Sequence, residues 1–251
     1  MPYPSLARMG FALRRGQLGM MVAAPGGGKS VIAQDIAMRS GAATLYCCPD
    51  TDEMTMAVRA GAKLTGYPQA VVEQYLRGEG KPDLAGRFFG ALESSTNVRY
   101  AFDVTNVADI GDEVFAYGTL HGAWPELVIV DNLANVHGEG ESEFAAWRQA
   151  MDKLHKLARH IGAHVLVLHH ATGQWDDGDR VIPLSGIEQK LSKMPAQVLT
   201  LYRPRHGRMG VAVVKNRGGA ADSRGSSCAE LCVNFDNMQV TDPLANQEVA
   251  A

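Results

Sequence analysis

Ala23-Ala24-Pro25-Gly26-Gly27-Gly28-Lys29-Ser30 is the stretch of this 251-residue chain whose residue types can do chemistry on an anion. Consecutive glycines let main-chain N–H groups converge on one point, because a backbone without Cβ atoms can curl tightly around a phosphate. Lys29 adds a point charge for β- and γ-phosphates, and the Ser30 hydroxyl can hold Mg²⁺. A helix opening at Ser30 turns its positive end to the same place. The expected ligand is a nucleotide with Mg²⁺, bound by Ala24, Pro25, Gly26, Gly27, Gly28, Lys29, Ser30 and Val31. This is a Walker A loop with one departure, since its first glycine is replaced by Ala23. A second candidate is Asp131, which ends the apolar run Leu127-Val128-Ile129-Val130. At the carboxyl edge of a parallel sheet that carboxylate stands beside the phosphate loop, where with Ser30 it can hold the water shell of Mg²⁺.

These groups need a particular frame. Residues 18–22 read as an apolar strand leading into the glycines, and residues 30–39 as a helix with a buried face. A second strand, Thr44-Leu45-Tyr46-Cys47-Cys48, is broken by Pro49-Asp50-Thr51-Asp52, which caps a helix carrying Met54, Met56, Val58 and Ala62. Residues 66–90 read as a surface excursion with a helix over 69–76. A strand over 98–104 and a helix over 110–120 follow, then the strand ending in Asp131. A polar loop, 132–143, precedes a long amphipathic helix over 144–161. Residues 165–168 form another buried strand ending in His169-His170. After the Gly- and Asp-rich loop 171–183, strands over 198–202, 209–215, 229–234 and 238–241 look antiparallel. Alternation of strand and helix predicts an α/β fold with a mainly parallel central sheet covered on both faces, closed by antiparallel strands at the C-terminal end. The expected organisation is a lead-in over 1–16, with a helical or turn segment over 9–13, one domain over 17–242 and a disordered tail over 243–251.

Composition narrows the class. The 46% hydrophobic and 20% charged content suits one globular domain with a sizeable core. No apolar run reaches membrane-spanning length and the N-terminal residues make no signal peptide, so the expected compartment is the cytoplasm, of a bacterium or a phage-infected host. A net charge of −3 without a polybasic tail announces no bulk nucleic-acid binder. Four cysteines, Cys47, Cys48, Cys228 and Cys232, have neither metal-ligand nor secreted-disulfide spacing, and the adjacent pair reads as buried reduced thiols.

Beyond the two Walker motifs, three less generic stretches carry a resemblance. Asp50 follows strand two, with Arg59 nine residues on. Ser185-Gly186-Ile187-Glu188-Gln189 precedes an apolar strand ending in Tyr202-Arg203. Lys215-Asn216-Arg217-Gly218-Gly219 lies before the last strands. Together they resemble the RecA-like P-loop ATPase core of DnaB-type replicative helicases and their phage and plasmid relatives, over about residues 6–242. The resemblance implies that Asp50 polarises the attacking water, although the family usually has Glu there. Asp52 and Glu53 stand in the same turn as rivals, and Asp50 can also be read as a helix cap. It implies that His170 senses the γ-phosphate. A core histidine or a metal ligand is the other reading of the His169-His170 pair, but strand neighbours point to opposite faces and would not share one metal. It implies further that Lys215 and Arg217 reach into a neighbour's nucleotide, so that the chain works as a ring, a hexamer, with ATP at each interface.

Two features bear on function. The chain is similar to the ATPase core alone, without the amino-terminal domain and linker helix of the replicative relatives, so ring contacts are expected to lean on a partner or on DNA. The channel-facing loops, 132–143 and 171–183, are rich in Asp and Glu with Arg180 their one basic residue, and Trp175 can either stack on a base or pack on its own surface. Three readings result: an ATP-driven translocase or helicase on single-stranded or forked DNA, a RecA-like recombination or repair ATPase, or a nucleotide-switched loader or regulatory module that contacts a replication or recombination protein.

Overall fold

The computed structural model describes the chain except residues 80–82, 94–96, 137, 139–141, 172 and 246–251, and the side chains of 83, 84, 92, 93 and 188–190. Most of the expected C-terminal tail, part of each of the loops over 132–143 and 171–183 and the side chains of Glu188 and Gln189 therefore lie outside the described residues.

The chain opens with α1 (Pro4–Arg8), where Pro4 occupies the first helical turn, a position at which the missing N–H costs nothing. It continues with β1 (Leu18–Ala23), α2 (Lys29–Arg39), β2 (Thr44–Cys47), α3 (Glu53–Thr65), α4 (Gln69–Leu76), α5 (Asp83–Glu93) and β3 (Val98–Ala101). Next come α6 (Val107–His121), β4 (Leu127–Val130), α7 (Glu143–Ile161) and β5 (His164–His170). The antiparallel end is β6 (Gln197–Arg205), β7 (Arg208–Asn216), β8 (Cys228–Asn234) and β9 (Gln239–Thr241).

The nine strands among the described residues join one sheet in the order β3-β2-β4-β5-β1-β6-β7-β8-β9. The first six are parallel and the last three run antiparallel to their neighbours. β1, β2 and β4 are buried at every position because helices cover both faces, which is why they read as continuous apolar runs. Alternate residues feed two cores: Met21, Ile32, Ile36, Tyr46 and Ile129 lie on one face, and Met20, Val22, Val128, Met151 and Leu154 on the other.

Local chemistry sets the element ends. Asn106 and Asp109 form a reciprocal capping box, which starts α6 three residues before the apolar periodicity alone suggested. Ser142 caps α7, and Gly66, Gly122 and Gly162 end their helices in the left-handed conformation. The strand expected over 98–104 ends at Ala101, and the excursion over 66–90 holds α5 in addition to the expected helix.

Residues 1–16 do more than lead in. Tyr3 and Leu6 are fully buried and Phe11 nearly so, and the helix forms over 4–8 while Met9 and Gly10 turn. A polar clasp ties this segment to the far end of the chain. The buried Asp242 accepts from Ser5 N at 2.7 Å and from Ser5 Oγ at 2.6 Å. Nearby, the buried Asp35 is ion-paired with Lys63 and accepts from the Tyr3 hydroxyl, so α2 and α3 are tied to the same segment.

Candidate nucleotide site

β1, β2, β4 and β5 all deliver their C-terminal ends to one edge of the sheet, and the predicted chemistry gathers there. A cavity of about 350 Å³ is lined by Gly26, Gly27, Gly28, Lys29, Ser30 and Val31 from the loop and α2, with Asp50, Thr51, Arg59, Asp131, Asn132 and His170 opposite. Gln69, Phe235 and Met238 complete the wall. This volume is within the range of small-molecule sites.

Gly27 is required by space, and Gly26, at φ +65°, and Gly28 by backbone conformation. A Cβ on Gly27 would stand 2.8 Å from the Ala24 carbonyl oxygen, and one on Gly28 would stand 2.4 Å from Met209 Cε. Gly28 also has φ +89° as the residue that opens α2, a conformation that L side chains rarely adopt. Ala24 and Pro25 form the approach to this turn and do not line the cavity; the buried Ala24 contributes its carbonyl to Lys29.

Lys29 is 5% exposed. Its Nζ donates to the carbonyls of Ala23 at 3.2 Å and Ala24 at 3.1 Å, and lies 3.1 Å from His170 Nδ1. Burial pushes its ammonium down to about 8, with Asp131 opposing the shift. His170 reaches across from the end of β5, level with Ala23, and its Nε2 is 3.2 Å from Asn132 Nδ2. Burial and then the Lys29 charge lower its pKa. His169 points the other way into the second core, where its ring meets Trp147 edge-on at 5.0 Å, so the two histidines share no ligand.

Asp131 follows β4 and is nearly buried. The Tyr46 hydroxyl donates to its Oδ2 at 2.7 Å, leaving Oδ1 for the cavity. Tyr46 is itself fully buried, and burial, then the Asp131 charge, hold its phenol protonated well above the ordinary range. A Mg²⁺ triphosphate fits this donor set: a glycine-rich main-chain turn, a buried cation, the Ser30 hydroxyl and a carboxylate with one oxygen not engaged by Tyr46. Ser30 and Asp131 would hold the metal, which would supply charge neutralisation at the phosphates.

The structure separates the three acidic candidates after β2. Asp52 is the cap of α3: its carboxylate accepts from Thr55 N at 2.8 Å and Thr55 Oγ1 at 2.7 Å, and these bonds lower its pKa. Glu53 starts the helix outside the cavity. Asp50 does no capping, lines the cavity, and accepts from Asn135 Nδ2 at 3.1 Å.

Lys215 and Arg217 are not brought to this cavity. They lie where β7 ends, with Lys215 paired to Val198, and Arg217 N donating to Ala196, whose own N–H donates to Leu18 at the start of β1. One strand length of about 15–20 Å separates that level from the glycine loop. Their side chains donate to main-chain carbonyls: Lys215 to Ser192 at 2.6 Å and Lys193 at 3.0 Å, Arg217 to Lys193 at 3.0 Å. Burial, then Arg217, brings the Lys215 ammonium down to about 8.

In the loop over 171–183, Arg180 lies over the Trp175 ring at 5.1 Å, and the indole packs against the second core. Packing on its own surface is thus the reading of Trp175 that the structure favours. Cys47 and Cys48 are buried and unbridged, and burial raises both thiols, Cys48 to about 12. Among the described residues no helix is long and apolar enough to cross a membrane.

Pattern reasoning did not find Tyr46, Asn132 or Asn135. Tyr46 reads as one more apolar strand residue, and the two asparagines read as loop polarity; only the position of Asn132 directly after Asp131 carried a signal.

Comparison with known proteins places the chain. A family model described as AAA domain matches residues 7–174. The Gene 65 protein of Mycobacterium phage L5 is 34% identical over 247 residues, covering 96% of this chain and 91% of that protein. The Gene 65 protein of Mycobacterium phage D29 is 34% identical over 236 residues, covering 89% and 98%. Among solved structures, one isolated ATPase domain superposes with a TM-score of 0.82 at 16% identity, over 96% of this chain and 89% of that one. A DnaB-like replicative helicase, solved for its interactions with primase, gives the same TM-score and identity, and the chain spans 62% of its length. The RadB recombinase superposes less closely, with a TM-score of 0.62 at 14% identity, over 96% and 97%. The chain belongs to the AAA-domain family together with the phage Gene 65 proteins, and its fold is the RecA-like P-loop ATPase core of the DnaB type.

Proposed function

We propose that the protein is an ATP-hydrolysing translocase or helicase that works as a ring, a hexamer, on single-stranded or forked DNA. The observation that carries this reading is the separation of the two cationic sets. Lys29 sits in the cradle, while Lys215 and Arg217 sit about one strand length away at the opposite edge of the sheet. Cations placed there cannot act on their own cradle, but a neighbour stacked edge to edge receives them at its nucleotide. In this reading Lys29 and Ser30 would hold the phosphates, Ser30 and Asp131 would hold Mg²⁺, Asp50 polarises the attacking water, and His170 registers the γ-phosphate. Arg217 and Lys215 complete the charge balance in trans, an arrangement worth roughly 10³ to 10⁵ in rate.

The test is DNA-stimulated ATP hydrolysis with unwinding of a forked duplex. Hydrolysis indifferent to DNA counts against the motor. One observation favours a second reading, a nucleotide-switched loader or regulatory module: loop 171–183 carries Asp176, Asp177 and Asp179, while its one basic residue, Arg180, is engaged with Trp175 and the Gln174 carbonyl. An ATP-dependent protein partner captured without any DNA affinity would select that module. Filaments rather than closed rings in electron micrographs would select a recombination or repair ATPase.

A further inference from the structure

The segment directly after Asp131 touches two candidate catalytic groups at once. Leu133–Asn135 forms a single 3₁₀ turn, capped by Asn132, whose Oδ1 accepts from Ala134 N at 2.9 Å. Leu133 and Val136 are almost fully buried in the second core and pin the turn on both sides of Asn135. From this anchored turn Asn132 presents its amide nitrogen to His170 Nε2 at 3.2 Å, and Asn135 presents its own to Asp50 Oδ1 at 3.1 Å.

The two partners differ in how firmly they are otherwise held. His170 stands on a strand and has Lys29 on its other ring nitrogen. Asp50 is exposed, on the loop between β2 and α3, and its carboxylate has no other hydrogen bond among the described residues. A carboxylate on a solvated loop samples several rotamers, and an amide donor on a buried turn selects one of them. The charged groups sharing the cavity do not substitute for it: Lys29 is directed to carbonyls and His170, while Arg59, Asp131 and His170 line the wall without bonding to Asp50. On its own loop, Asp52 is committed to Thr55.

We infer that Asn135, held on the Asn132–Asn135 turn, is the positioning residue for Asp50, the water-polarising carboxylate. This rests on the reading of the site as an ATPase in which Asp50 acts on water.

The experiment is steady-state ATP hydrolysis by the full chain, with affinity for a non-hydrolysable ATP analogue measured in parallel. Asn135→Ala is expected to lower kcat roughly 10- to 100-fold with KM and analogue affinity changed less than about threefold, as for a misplaced reacting group. Asn135→Asp, equal in size but a repelling acceptor, should lower kcat at least as far, and Asn135→Gln, which keeps the amide donor, should recover part of it. Thermal melting of each variant checks the fold. Wild-type kcat in both Asn135→Ala and Asn135→Asp, or a rise in kcat, overturns the inference. So does an equal loss in kcat and analogue affinity. Asp50→Asn separates the two layers: if it retains turnover, the assignment of Asp50 to water is wrong. If it is inactive while Asn135→Ala is normal, only the positioning role fails.

Discussion

Tyr46→Phe is a one-atom perturbation whose consequence can be worked from the structure. The ring is fully buried and keeps its place, packed at 5.5 Å against Tyr100, so no cavity opens around the carbon skeleton. What is lost is the 2.7 Å hydrogen bond to Asp131 Oδ2. A hydrogen bond to a charged group contributes about 1.5–3 kcal/mol, and its loss leaves a nearly buried carboxylate oxygen without that donor. Two effects follow. Unfolding free energy should fall by about 1–3 kcal/mol in urea titration. Asp131, no longer held with Oδ1 toward the cavity, should also bind the metal less well, and loss of such a supporting bond costs roughly 10- to 100-fold in metal affinity. The assay is a Mg²⁺ titration of ATP hydrolysis and of fluorescent nucleotide binding at saturating nucleotide. The expected result is a Mg²⁺ half-saturation shifted upward at least about tenfold, with nucleotide binding in the absence of metal nearly unchanged. An unaltered Mg²⁺ half-saturation in a folded Tyr46→Phe protein would refute the reasoning, since Asp131 would then not need Tyr46 to serve the metal.

Lys29→Ala should abolish hydrolysis, and Arg217→Ala should abolish it while leaving nucleotide binding nearly intact; binding is read by fluorescent nucleotide titration. Mixed together, these two inactive proteins should regain part of the activity, because a protomer with an intact cradle then meets one with an intact Arg217, and no recovery at any mixing ratio argues against action in trans. Asp242→Ala removes both bonds to Ser5 and should lower stability by about 2–4 kcal/mol in thermal or urea unfolding, whereas an unchanged midpoint would show the clasp to be dispensable. Acid should destabilise the fold in a defined window: burial lowers His164 and His169 from 6.5 to about 4, so between these values the unfolded chain binds protons that the folded one refuses. This contribution is complete above the unfolded value of 6.5 and is lost toward pH 4 by up to about 1.4 kcal/mol per pH unit for each histidine, which urea midpoints at about pH 7 and pH 5 will show.

The glycines, Lys29 and Ser30 were legible because their chemistry is local: the loop, its strand and its helix are consecutive in the chain. Asp131 was legible because a fully covered parallel strand leaves an unbroken apolar run that ends abruptly in a charge. The antiparallel end was legible for the opposite reason, from short runs punctuated by turns. Asp50 against Asp52 was not decidable from spacing, since both fit a cap, and the choice depends on which carboxylate meets Thr55 N.

What the sequence determined by itself is therefore the place of the glycine-rich loop between a strand and a helix and the class of sheet that carries it, because backbone freedom at glycine and burial on two faces leave direct marks on consecutive residues. What only the tertiary structure decided is which distant side chains attend that loop. Tyr46 and Asn135 are bound to Asp131 and Asp50 by hydrogen bonds between different elements, and Asn132 abuts His170, partners that no periodicity announces. The register of β7 likewise decided that Lys215 and Arg217 lie at the other end of the strands from the candidate nucleotide site, since direction along an antiparallel strand is set by its partner and not by its own residues.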